Sequence, residues 1–114
     1  MSAGTAVWKY ELRAAYELRA VHEQLIAMPR GAVLVCVDVQ SRHLGPPDWR
    51  MGRPGTEQPC LWAVVHPERE TCVRRVLIVG TGHLTELEGA EYVGTFQLGG
   101  GRLVFHVFDA GEVT

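Results

Sequence analysis

A period of two in hydrophobicity is what most limits this chain's choice of fold. From Trp8 to Ala20 every even position is apolar or small: Trp8, Tyr10, Leu12, Ala14, Tyr16, Leu18 and Ala20. The odd positions are charged except at Ala15. Successive strand side chains point to opposite faces, so this pattern predicts a long strand with one dry and one wet face. Ala, Glu, Leu and Arg also form helices well, so residues 8–15 are open to either structure on composition. The same alternation returns at Ala32–Gln40, with Val33, Val35, Val37 and Val39 on one face and Ala32, Leu34, Cys36 and Asp38 on the other. Shorter strands are expected at Gln24–Met28, Cys60–Val65, Val73–Val79, Tyr92–Leu98 and Arg102–Asp109.

Turn chemistry separates these segments. Pro29-Arg30-Gly31 and Gly99-Gly100-Gly101 supply the fixed or unusual dihedrals that tight turns need, and the second pair of C-terminal strands reads as a hairpin. Thr85 and Glu88 have capping-box spacing for one short helical turn near 85–90. Residues 41–59, SRHLGPPDWRMGRPGTEQP, carry four of the six prolines and three glycines and read as a long loop insertion. Several strands are apolar on both faces. Leu103, Phe105 and Val107 alternate with Val104, His106 and Phe108, so a second sheet or a second subunit must cover each side. The expected fold is mostly β: a small antiparallel sandwich or rolled barrel of six or seven strands, one domain over residues 1–114, with homo-oligomeric contacts.

Composition excludes several classes. The formal net charge of −2 lacks the basic stripe of a nonspecific nucleic-acid binder. No apolar run is long enough to span a bilayer as a helix. Three cysteines without close pairing, and no leader-like start, point to a reducing, cytoplasmic setting. The excess of arginine over lysine, with no asparagine and only Ile26 and Ile78, reads as G+C-rich coding.

From Tyr16 onward the chain resembles a family of short, uncharacterised bacteriophage and prophage proteins. The matching segments are YEL at 16–18, EQLIAMPRGA at 23–32, LWAVVHP at 61–67, GTGH at 80–83 and YVGTFQLGGGRLVFHVF at 92–108. Residues 1–15 and the Pro-rich loop look like additions to that pattern. The resemblance implies a phage or prophage origin, with the host cytoplasm as location, and carries no assigned activity.

Candidate chemistry is sparse. Gly80, Thr81, Gly82 and His83 form a Gly-rich turn after a strand, which can cradle an anion with backbone amides or can simply end the strand. The Gly-Lys-Ser/Thr of a phosphate-binding P-loop is missing. His106 lies mid-strand, where a satisfied structural histidine is the commoner role. His22, His43 and His66 lack metal-ligand spacing, and no structural zinc or other cofactor is expected. Cys36 reads as an inert core thiol. Ser41 and His43 lack a nucleophile elbow, so no catalytic residue is assigned and a non-enzymatic protein is expected. Trp49 and Arg50 in the loop are candidate partner-binding residues, or a cover for a sheet edge.

Three functions follow from these readings. The first is an accessory binding protein that captures a small anionic ligand, such as a host signalling nucleotide, in an oligomer. The second is an interaction module that docks on a host protein. The third is a minor structural component of the phage particle.

Overall fold

The computed structural model describes residues 4–13, 21–41, 57–83 and 85–113. They form seven strands: β1 (Ala6–Glu11), β2 (Val21–Pro29), β3 (Val33–Ser41), β4 (Glu57–Val65), β5 (Thr71–Gly80), β6 (Glu91–Leu98) and β7 (Leu103–Val113). Two antiparallel sheets result, one ordered β1-β4-β3 and the other β2-β5-β7-β6. The expected two-sheet β architecture is present, and no closed barrel forms. Among the described residues no helix is long and apolar enough to cross a membrane.

The core is the space between the sheets. Leu61, Ala63 and Val65 of β4 meet Val76 and Ile78 of β5, Phe96 and Leu98 of β6, and Phe105 and Val107 of β7. These are the alternate, inward positions of each strand, as a period of two demands. Phe96 and Phe105 pair across the β6–β7 hairpin with ring centroids 5.4 Å apart. The hairpin closes through Gly99–Gly101, whose φ angles of +61°, +67° and +95° suit glycine alone among common residues.

The two sheets meet at two corners by different means. At one, Gly94 of β6 lies so close to β3 that an added Cβ would sit 2.7 Å from Val37 Cγ2 and 3.4 Å from Val37 N. At the other, the Gln24 side chain of β2 stitches the end of β1. Its Nε2 donates to the Glu11 carbonyl at 3.1 Å, and its Oε1 accepts from the Arg13 amide at 2.9 Å.

Three expectations change. The N-terminal strand starts at Ala6 and ends at Glu11, because Leu12 turns into the core, held by its amide on the Pro59 carbonyl at 2.9 Å. The remainder of the expected strand, residues 14–20, lies outside the described residues, while residues 8–11 are strand and not helix. In β3 the four valines do not share a face. A bulge between Leu34 and Cys36 shifts the register, so Val33 and Val35 are exposed while Val37 and Val39 pack on the core. The same shift turns Cys36 to the surface, so it is not a core thiol. Finally, residues 85–90 hold a β-turn in place of a helical turn. The Ala90 amide reaches the Leu87 carbonyl at 2.9 Å, and Gly89 at φ +79° breaks any right-handed continuation.

Candidate functional site

The outward face of β2-β5-β7-β6 carries a chain of polar side chains that crosses three elements. Gly80 closes β5, and Thr81 follows on an exposed turn whose His83 amide bonds back to the Gly80 carbonyl at 3.3 Å. The Thr81 amide reaches the Val104 carbonyl at 3.3 Å, which pins the turn beside β7. Thr81 Oγ1 then lies 2.7 Å from His106 Nε2, and His106 Nδ1 lies 2.9 Å from Thr95 Oγ1. Thr95 continues to the Tyr92 hydroxyl. Tyr92 is 60% exposed and meets the Phe108 ring edge-on at 5.6 Å.

Strand geometry explains this assembly. The registers pair His106 with Thr95 on β6 and with Val79 on β5, one residue before the turn begins. The bulge between Tyr92 and Gly94 brings Tyr92 and Thr95 to the same face although they are three positions apart.

Proton directions run consistently along the chain. If the Thr81 hydroxyl donates to Nε2, then Nδ1–H donates to Thr95, and Thr95 donates to Tyr92. The Tyr92 proton then points outward. The reverse order leaves the Thr81 proton only the Val104 carbonyl at 3.5 Å, a weaker acceptor geometry. The site therefore offers a phenol donor, a polarised hydroxyl and an aromatic face, all open to solvent.

The Gly80–His83 turn and His106, read separately in the sequence, thus form one locus. His83 itself is exposed, and its side chain is not part of the hydrogen-bonded chain. Two of the turn's amides bond to carbonyls of the protein, so recognition at this end falls mainly to side chains. Trp49 and Arg50 lie outside the described residues. Among the described residues no three His, Cys, Asp or Glu side chains gather as a metal ion requires.

A second polar cluster sits on the opposite, inward face of the same sheet and had no counterpart in the sequence reading. Arg74 is only 6% exposed. It donates to Asp109 at 2.7 Å, to the Ala32 carbonyl at 2.7 Å and to Glu112 at 3.3 Å. Glu112 also accepts from the Gly31 amide. That backbone bond, followed by Cys72, Arg74 and Arg30, holds the Glu112 carboxyl below its ordinary value of 4.5. Burial, and then Glu112 beside it, pushes the Cys72 thiol up. A cleft of about 300 Å³ opens next to this cluster, lined by Leu34, Arg74, Glu91, Tyr92, Val93 and Asp109. The signal for the cluster was an arginine at an inward position of β5, in phase with Cys72, Val76 and Ile78. Arg74 Nε is buried without a partner and closed to solvent, so no ligand in the cleft can reach it.

No curated protein and no solved structure matches the chain. A family model does, and its match includes residues 4–15 and 41–59, the segments that the phage resemblance set aside as additions. The chain belongs to the family described as domain of unknown function DUF7352, which matches residues 4–113.

Proposed function

We propose that this protein is a non-enzymatic accessory binding protein of phage or prophage origin. It captures a small anionic ligand, a host signalling nucleotide being the leading class, and it does so as an oligomer in the host cytoplasm. The observation that carries the reading is the Thr81–His106–Thr95–Tyr92 chain, which ties the Gly-rich turn to an exposed aromatic. The Tyr92 phenol is placed to donate to a phosphoryl or ribose oxygen, and the Tyr92–Phe108 pair offers a surface on which a base can stack.

Thr81 and His106 also have the separation of a nucleophile and its base. The ring's other partner is the Thr95 hydroxyl, which stabilises an imidazolium far less than a carboxylate does, and both ends of the chain face water. Binding is the better reading of that geometry.

The test is calorimetric titration of the wild type with a panel of mono-, di- and cyclic nucleotides, together with native mass measurement of gently purified protein. Saturable binding that is lost in His106→Ala, or a retained mass released on denaturation, supports the reading. No heat from any nucleotide and no retained mass would overturn it. Docking on a host protein is the second reading, favoured by the exposed Val21, Leu25 and Val73 on this same face.

A further inference from the structure

His106 is held at both ring nitrogens by hydroxyls, Thr81 on Nε2 at 2.7 Å and Thr95 on Nδ1 at 2.9 Å. A carboxylate or a carbonyl in either place would decide which nitrogen carries the hydrogen. A hydroxyl donates or accepts by turning its own hydrogen, so the ring can take a second proton and keep both bonds. With the ring neutral, the Thr81 hydrogen is spent on Nε2. With the ring protonated, Nε2–H donates to Thr81 and the Thr81 hydrogen is released. The Val104 carbonyl, at 3.5 Å, is too distant to hold it well, so it turns to solvent or to a ligand. The other half of the chain, from Nδ1–H through Thr95 to the Tyr92 phenol, keeps its direction in both states.

The added charge finds no ion-pair partner among the described residues. Around the ring, β6 carries Thr95 and Tyr92, β5 carries Val79 and Leu77, and the following turn carries Thr81 and the exposed His83. Glu23 stands beyond Leu77 on β2 and is already paired with Arg75 at 3.0 Å. Glu86 and Glu88, on the segment between the turn and β6, are exposed and make no ion pair with the ring. An imidazolium bordered by hydroxyls and apolar side chains lacks a counterion, and an anionic ligand supplies one.

We propose that the site takes up its anion together with a proton on His106. The inference rests on the ligand capture proposed above and adds what gates it. Protonation gives the anion a positive charge at Nε2 and a freed Thr81 hydroxyl beside it, so the phosphoryl end of a ligand sits there. The Tyr92–Phe108 end is unchanged and remains the stacking surface. Histidine is the side chain whose charge ordinarily changes between about pH 5 and pH 8, so capture strengthens as pH falls across that range. Linkage requires the converse as well: a ligand that prefers the protonated ring makes the ring charge at a higher pH.

Sulfate is the probe, because it resembles a phosphoryl group and keeps its charge across this range. It is titrated into the full chain at about pH 5.5 and about pH 8, with chloride holding ionic strength constant so that screening does not change. Magnetic resonance of the histidine rings, assigned with His106→Ala, follows the proton. The expected result is sulfate binding about tenfold tighter at the lower pH, with the His106 ring charging at a higher pH when sulfate is present. Thr81→Val should weaken sulfate binding at the lower pH, and His106→Gln should remove the pH dependence, both with the circular dichroism of the wild type. Equal affinity at the two pH values overturns the proposal, as do a ring titration that sulfate does not move and an absence of sulfate binding at either pH. A pH dependence that survives His106→Gln places the proton elsewhere and overturns it too. Cyclic nucleotides, whose diester charge is also constant here, read ligand capture separately. One that binds equally at both pH values leaves capture standing and removes the proton, whereas sulfate coupling without any nucleotide binding keeps the proton and removes the nucleotide.

Discussion

The four-stranded sheet carries a polar cluster on each face, and the two are built on opposite principles. Inward, a buried Arg74 is paired with the partly buried carboxylates of Asp109 and Glu112. Outward, Thr81, His106, Thr95 and Tyr92 form a chain of hydroxyl, imidazole and phenol groups that remains open to water. A buried charge cannot lose its partner cheaply, because the survivor keeps its full desolvation cost. An exposed hydroxyl or imidazole can exchange its partner for water or for a ligand at little cost. The first arrangement ties the turn after β2 to β5 and β7, and the second is free to exchange its partners with solvent.

The sharpest way to break this comparison is Arg74→Ala. Loss of the guanidinium leaves Asp109 and Glu112 facing each other near the Ala32 carbonyl, and unfolding free energy should fall by about 3–5 kcal/mol. A urea midpoint close to the wild type would show that water reaches the cluster and that the inward face is not dry there.

A smaller effect is expected at the corner that closes the sandwich beside the cleft. Gly94→Ala drives its Cβ into Val37, so β6 or β3 must shift, at about 1–3 kcal/mol. Thermal unfolding that matches the wild type would mean that this corner slides freely.

Next comes a pH dependence. The Glu112 pKa is lowered in the folded state, so its stabilisation is present above the ordinary value of 4.5 and is lost as pH falls through the lower folded value. Glu112→Gln should therefore be less stable than the wild type near pH 7, with the gap narrowing as pH drops below 4.5. Urea midpoints at pH 7 and pH 3 measure it, and a constant gap would remove the carboxylate's role.

The smallest change in stability is expected outward. His106→Ala and Thr81→Val should each move unfolding free energy by less than about 0.5 kcal/mol, because their partners turn to water. A loss above 2 kcal/mol in either would class the outward chain with the inward cluster.

Several of these features were readable from residue order. The strands, the turn at Pro29–Gly31 and the triple-glycine hairpin follow from alternation and turn chemistry, both of which act over a few residues. Other features could not be read that way. The bulge after Leu34 put Val33 and Val35 on the wet side, since register is set by the partner strand β4 and not by the valines themselves. Thr85 and Glu88 have the spacing of a capping box, yet Gly89 and the nearby start of β6 draw the segment into a β-turn. Cys36 followed the bulge outward. The Gly80–His83 turn was visible as a motif, whereas its bond to a histidine 25 residues away depended on how β5 and β7 align.

Residue order therefore determined that the chain is β-rich, which segments form strands, and that some strands are dry on both sides. Those properties depend on each side chain's affinity for water and on local dihedral preference, which travel with the residue. Which face each residue occupies after a bulge, and which polar groups meet across strands, was decided only by the tertiary structure. Two sheets have to share one core, and a single-residue slip in register exchanges every side chain between that core and the surface.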